Sequence, residues 1–176
     1  MEFSALSTSI PANFDGLTDV FAMLNRTQMG SPGERGSASK AAVDERFHLL
    51  VVDDDTVHRM IICRVAAKIG YVPAEAASFE DAARLLRERT YDCISLDLSL
   101  GRRGGVDVLR LLAELNCKTP VIIISGTDAE MRAEAMEIAE QLAINTYEPL
   151  PKPVNLAELR RSLTTIKLRT TAGLPA

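Results

Sequence analysis

The chain has 176 residues, 47% of them hydrophobic, and a net charge of −4. That suits one folded domain plus appendages and gives no bulk electrostatic reason to bind nucleic acid. No apolar run is long enough to span a bilayer, and Met1-Glu2-Phe3-Ser4 lacks the basic start of a signal peptide, so the expected compartment is the cytoplasm, without membrane insertion.

Residues 11–26 form a candidate helix in which Phe14, Leu17, Phe21 and Leu24 share one face, with Asn13 or Asp15 near its start. Gly30, Ser31, Pro32, Gly33, Gly36, Ser37 and Ser39 then give residues 27–40 a linker composition. An isolated helix of that length is marginal in water, so the segment reads as a docking or dimerisation element or as a disordered tail. The expected division is an extension over 1–45, a folded domain over 46–168 and a tail over 169–176. Nothing in that tail is long enough to form an output domain.

The folded part opens with Phe47-His48-Leu49-Leu50-Val51-Val52, an apolar strand running into Asp53-Asp54-Asp55. A helix is expected over 56–69, with Val57, Met60, Ile61 and Val65 inward, Asp55 at its start and Gly70 as its stop. A weak strand over 72–76 precedes Ser78-Phe79-Glu80-Asp81, a capping-box pattern that opens a helix to Arg89. Cys93-Ile94-Ser95-Leu96-Asp97 reads as a strand, and the apolar spacing from Val106 to Leu115 as a helix. Pro120-Val121-Ile122-Ile123-Ile124-Ser125 is wholly apolar and β-branched before its last residue, as a central strand would be. Thr127-Asp128-Ala129-Glu130 caps a helix to about 142. A poorly marked strand over 147–150 leads to Pro151-Lys152-Pro153, and Asn155 caps a last helix with Leu156, Leu159, Leu163 and Ile166 on one face. Cys63, Cys93 and Cys117 lack CxxC spacing and read as small core residues, and His48 and His58 as structural.

Five alternations of strand and helix argue for an open parallel sheet with helices on both faces. In such a sheet the strand ends share one crevice, so Asp53, Asp54, Asp97, Ser125 and Lys152 converge there, with Asp97 at its mouth. Crowded carboxylates repel unless they share a cation, and oxygen ligands with room for water suit Mg²⁺. A lysine and a hydroxyl beside that metal make a phosphoryl pocket.

With Val51-Val52-Asp53-Asp54-Asp55, Asp97 followed eight positions on by Gly105, Pro120 to Ser125-Gly126, and Lys152-Pro153, the chain from Phe47 to Leu168 resembles the receiver domain of two-component response regulators. The resemblance implies a flavodoxin-like (βα)5 sheet of order 2-1-3-4-5, the class the chemotaxis receiver exemplifies. It implies Asp97 as phosphoacceptor from a phosphohistidine on a sensor kinase or phosphotransfer protein. Mg²⁺ would be held by Asp54, Asp97 and the Ser99 carbonyl, with Asp53 reaching it through water. Lys152 would pair with the phosphoryl oxygens and Ser125 would bond to them. Gly105, Gly126, Thr127 and Pro153 would support the site, and output would pass by contact to a protein target, without direct DNA binding. Such a domain promotes its own phosphorylation and dephosphorylation and turns over no separate substrate.

Several positions depart from the pattern. Gly101 stands where proline is usual and Gly104 where Asp or Asn is, which predicts a looser loop after Asp97. Ser125 replaces the commoner Thr. Pro149 stands three residues before Lys152, where a switch aromatic is usual; Tyr147 is the nearest ring, and the stretch from Ser125 to Lys152 is longer than usual. Arg102-Arg103 reads as a solvated pair. Asp53-Asp54-Asp55-Thr56-Val57 also fits the D-x-D-x-V motif of haloacid-dehalogenase-like phosphatases, with Asp53 as nucleophile and Asp55 as acid. Those enzymes need an acidic pair on a strand after the lysine, where this chain has only Glu158 on a helix. A degenerate receiver acting only as a binding module is the third reading.

Overall fold

A computed structural model describes residues 46–101, 103–126 and 129–174; the candidate helix over 11–26, the linker over 27–40, Arg102, and the cap residue Thr127 lie outside the described residues. Strands β1 (Phe47–Val52), β2 (Tyr71–Ala76), β3 (Cys93–Leu96), β4 (Val121–Ser125) and β5 (Thr146–Pro151) alternate with helices α1 (Thr56–Lys68), α2 (Phe79–Glu88), α3 (Gly105–Glu114), α4 (Ala129–Gln141) and α5 (Leu156–Thr171). Every strand pairing is parallel, in the order β2-β1-β3-β4-β5. This is the doubly wound architecture that the alternation implies. The last helix continues to Thr171, past the 168 expected for the domain end.

Side chains on successive strand residues point to opposite faces, and both faces of the central strands are covered. Leu50, Val52, Ile94, Leu96, Val121 and Ile123 pack with Ala82, Val108, Leu109, Leu112, Ala135 and Ala139 of α2, α3 and α4. Leu49, Val51, Cys93, Ile122 and Ile124 pack with Ile62, Val65 and Ala66 of α1 and with Leu159, Leu163 and Ile166 of α5. Cys93 is buried, and Cys63 and Cys117 are half-buried free thiols; burial pushes the Cys63 thiol up to about 11, which suits a packing role.

Short polar side chains set the helix ends. Asp55 accepts from the Val57 and His58 amides at 2.7 and 3.1 Å, Ser78 from Asp81 at 3.1 Å, and Asn155 from Ala157 at 3.0 Å. Gly70 closes α1 at φ +83°, a conformation that favours glycine, and Lys167 Nζ covers the freed Ile69 carbonyl at 3.0 Å.

Two apolar faces differ from the expected ones. On α1, Ile62, Val65 and Ala66 are inward, while Val57 and Met60 are exposed. The segment Met60-Ile61-Ile62-Cys63 carries apolar residues on adjacent stripes, so periodicity alone leaves two rotations open. The Asp55 cap fixes where the helix starts, and the inward pull on Arg59 selects one. Leu156, the first residue of α5, is exposed although its stripe-mates Leu159, Leu163 and Ile166 are fully buried.

Strand β5 also carries an irregularity. Ile122 pairs with Tyr147 and Ile124 with Leu150, so three steps on β5 oppose two on β4. The extra residue adds one position to the stretch before Lys152. Pro149 lies inside this bulge on an edge strand, where a missing amide donor is tolerated.

Candidate functional site

Strand register assembles the site. Val52 pairs with Leu96, so the next residues, Asp53 and Asp97, leave neighbouring strands side by side. Their amides remain tied to the sheet, Asp97 N to the Val52 carbonyl at 2.9 Å and Asp53 N to the Ala76 carbonyl at 3.1 Å. Ser125 pairs with Pro151, and the Lys152 amide donates to the Ser125 carbonyl at 3.0 Å, which delivers the lysine to the same crevice.

The Lys152 ammonium donates to Asp97 Oδ2 at 2.8 Å and Asp53 Oδ2 at 2.9 Å. Both carboxylates are buried, Asp97 with 2% and Asp53 with 1% of its surface exposed. Asp97 was expected at the mouth of the crevice; instead its side chain is sunk beneath it, and Lys152 is what makes that burial tolerable. Burial pulls the Lys152 pKa down, but the hydrogen bonds and charges of Asp97 and Asp53 outweigh it, so the net shift is upward. The remaining oxygens are held by amides, Asp53 Oδ1 by Asp55 N at 2.8 Å and Asp97 Oδ1 by Ser99 N at 3.1 Å.

Asp54 is exposed, and its Oδ2 accepts from the Gly101 amide at 3.2 Å. One oxygen each of Asp53, Asp54 and Asp97 can be grouped within 4.8 Å of one another. Three carboxylates facing one ammonium leave an excess of negative charge that a hard divalent cation with oxygen ligands would neutralise. The donor set therefore fits Mg²⁺.

The loop after Asp97 is tied at several points. Gly101 N donates to the Ser99 carbonyl at 3.0 Å, Gly105 N to the Leu98 carbonyl at 2.9 Å, and Leu98 and Leu100 are buried. Gly101 adopts φ +47°, and a Cβ on Gly105 would meet the Asp97 carbonyl oxygen at 2.4 Å and Leu98 Cα at 2.7 Å. Glycine at 105 is thus required by the close approach of α3 to the residue that bears the central carboxylate. Arg103 is not merely solvated: its guanidinium stacks over the Phe79 ring at 3.7 Å.

Ser125 ends β4 fully buried, and the Gly126 Cα faces the Lys152 side chain, a Cβ there lying 3.6 Å from the Lys152 Cβ. Pro153 follows Lys152 through a cis peptide. His48 and His58 lie against Asp92 and Asp55 at 4.0 and 3.8 Å, outside the acidic cluster.

One buried group was not singled out in the sequence. Arg59 lies on the inward face of α1 and donates to the Asp53 carbonyl at 2.7 Å. Its signal was a charged residue in step with Ile62 and Ala66, positions i+3 and i+7, on what proves to be the buried stripe.

A parallel sheet of order 2-1-3-4-5 with acidic residues and a lysine at its carboxyl ends defines a doubly wound α/β protein whose polar site lies at the strand ends. The family model for the response regulator receiver domain matches residues 49–164, and the chain belongs to that family, the receivers of two-component signal transduction. It is 28% identical over 134 residues to the regulatory protein VirG of Agrobacterium tumefaciens, covering 76% of this chain and 48% of VirG. It is 29% identical over 128 residues to the sensory/regulatory protein RpfC of Xanthomonas campestris, covering 70% of this chain and 17% of RpfC. The chain thus spans less than half the length of these relatives. Among solved structures, the receiver domain of Francisella response regulator 1452 superposes with a TM-score of 0.61 at 27% identity, covering 70% of this chain and 98% of that one. A Burkholderia pseudomallei response regulator, described with a phosphorylated aspartic acid, a calcium ion and citrate, superposes with a TM-score of 0.58 at 23% identity, covering 72% of each chain. Among the described residues no helix is long and apolar enough to cross a membrane.

Proposed function

We propose that Asp97 accepts a phosphoryl group from a phosphohistidine on a sensor kinase or phosphotransfer protein, and that the phosphorylated domain signals by contact with a protein target in the cytoplasm. The observation that carries this reading is Lys152 Nζ held between two buried carboxylates, 2.8 Å from Asp97 and 2.9 Å from Asp53, with Asp54 beside them. An oxygen of Asp97 bonds to phosphorus as the phosphorus–nitrogen bond breaks, and the electron pair of that bond leaves with the donor imidazole. Asp54, Asp97 and the Ser99 carbonyl would hold Mg²⁺, with Asp53 reaching it through water. When bound, the ion supplies positive charge to the transferring phosphoryl oxygens.

The chain's own residues do the rest. The Ser99 amide orients Asp97 through Oδ1. Lys152 gives its charge to the phosphoryl oxygens, and Ser125 offers the hydroxyl that bonds to them afterwards. Val57 at the start of α1 and Leu156 at the start of α5 are exposed apolar side chains flanking the site, which suits a donor protein docking there. The domain from 46 to the end of α5 at Thr171 performs this chemistry, with the segment over 1–45 as an extension.

The phosphatase alternative is disfavoured by Asp55. Hydrogen bonds from the His58 and Val57 amides hold its carboxyl below the usual range, and it serves as a helix cap, where a general acid needs a retained proton. The test is incubation with acetyl phosphate and Mg²⁺ beside p-nitrophenyl phosphate. Stoichiometric, hydroxylamine-labile label lost in Asp97→Asn supports the receiver chemistry. Sustained turnover of p-nitrophenyl phosphate that survives Asp97→Asn would replace it with a phosphatase.

A further inference from the structure

Arg59 carries a charge into the interior of α1, with only 9% of its surface exposed. Burying a cation is costly unless strong partners repay it. Its carboxylate partner is a weak one, because Glu75, 3.1 Å from Nε, is more than half exposed. The shortest bond goes elsewhere, from Nη1 to the Asp53 carbonyl at 2.7 Å, and the same nitrogen lies 3.4 Å from the Asp54 carbonyl. Nη2 adds a 3.4 Å contact to Thr56 Oγ1. The guanidinium therefore sits beneath the turn that carries the acidic pair and pulls two successive carbonyls toward itself.

The consequence follows from peptide planarity. In a trans peptide the C=O and the next N–H point in opposite directions. With the Asp53 and Asp54 carbonyls turned toward Arg59, the amides of Asp54 and Asp55 are turned away from it. The Asp55 amide is the donor to Asp53 Oδ1 at 2.8 Å. That bond fixes the Asp53 carboxylate, whose other oxygen meets Lys152 at 2.9 Å, and Lys152 in turn meets Asp97 at 2.8 Å. A continuous set of bonds thus runs from a buried side chain on α1, through the Asp54–Asp55 peptide plane it meets at 3.4 Å, to Asp53, Lys152 and Asp97, three of the four charged groups of the site.

We propose that Arg59 is a positioning residue: by clamping the Asp53 and Asp54 carbonyls it sets the orientation of the acidic pair and so the affinity of the site for Mg²⁺. This rests on reading the cluster as a Mg²⁺ site, and it adds a residue that touches neither metal nor phosphoryl group. A planar fork with several donors can hold two carbonyls at once, whereas a lysine at this position keeps the charge and loses the fork.

The experiment compares wild type with Arg59→Lys, Arg59→Met and Glu75→Gln in the full chain. Mg²⁺ affinity is measured by calorimetry, and amide exchange at Asp55 is measured in metal-free protein. Loss of a group that orients metal ligands weakens binding by about tenfold or more, the expectation for Arg59→Met, with Arg59→Lys between it and wild type. Glu75→Gln should bind like wild type, because the clamp and not the ion pair does the orienting. Exchange at Asp55 should quicken in both Arg59 variants. A purely structural role would lower the unfolding midpoint and leave the affinity of the folded protein unchanged. If Arg59→Met does not fold, Arg59→Lys carries the comparison. Wild-type affinity in folded Arg59 variants, or equal loss in Glu75→Gln, overturns the proposal. Should wild type itself bind no Mg²⁺, the reading of the cluster fails; Asp55 exchange then judges the clamp by itself, unchanged rates in both variants refuting it and faster rates sustaining it.

Discussion

Replacing Lys152 by methionine keeps most of the side-chain volume and removes the ammonium that sits between Asp53 and Asp97. Removing one partner of a buried ion pair costs about 3–5 kcal/mol, because the charge left behind is uncompensated. Lys152 retains some solvent access, its side chain being 14% exposed, which places the expectation near the lower end. With a urea slope of about 2 kcal/mol/M for a domain of this size, a loss of about 3 kcal/mol lowers the midpoint by about 1.5 M. The assay is urea unfolding in EDTA at neutral pH, followed by circular dichroism because the chain has no tryptophan. The pH dependence has a definite sign. The pKa of Lys152 is raised in the folded state, so its contribution is whole below the unfolded value of about 10.4 and is lost as pH rises through the folded one. The difference between wild type and Lys152→Met should therefore be constant near neutrality and shrink in alkali. Taking the difference also cancels Tyr71, whose hydroxyl is pushed up by burial in both proteins. Saturating Mg²⁺ should stabilise the variant relative to the same variant in EDTA, by about 2.7 kcal/mol at one hundred times its own dissociation constant. A midpoint change under about 0.5 M, roughly 1 kcal/mol by the same slope, would show that Lys152 does not compensate the buried carboxylates.

Two further substitutions probe the geometry. Gly105→Ala places a Cβ 2.4 Å from the Asp97 carbonyl oxygen, where only backbone can yield; it should destabilise by about 1–3 kcal/mol in urea and slow label uptake from acetyl phosphate. Asp54 is exposed and Asp53 is buried against Lys152, so Asp54→Ala should weaken Mg²⁺ binding in calorimetry with little loss of stability, whereas Asp53→Ala should lower the unfolding midpoint and affect Mg²⁺ less. Unchanged Mg²⁺ affinity in Asp54→Ala would leave the proposed site without its main ligand.

What could be read from sequence, and what could not, divides along the range of the interactions. The strand ends were legible because a short apolar run that stops on Asp53, Asp97 or Ser125 carries its own boundary, and topology alone then brings those ends together. Helix starts at Asp55, Ser78 and Asn155 were legible because capping is a matter of two or three residues. The rotation of α1 was not, since Val57 and Met60 lie on one apolar stripe and Ile62 and Ala66 on another, and the choice depends on carbonyls outside the helix. The bulge at Pro149 depends on pairing with β4, and the Arg103 stack on Phe79 joins a loop residue to the first residue of α2. The depth of Asp97 was misjudged for a similar reason. A carboxylate at a strand end reads as exposed until the lysine from a distant strand is placed over it.

The central claim is that Asp97 carries the phosphoryl group, and the most direct measurement is chemical mapping of the modified residue. The protein is labelled by a phosphorylated histidine kinase or acetyl phosphate with Mg²⁺, reduced with borohydride, which converts an acyl-phosphorylated aspartate to homoserine, and sequenced by mass spectrometry. The account predicts homoserine at position 97 and no reduction product in Asp97→Asn. Homoserine at position 53 would contradict it and point to the phosphatase chemistry, and an unmodified Asp97 beside a label-bearing Asp54 would contradict it as well.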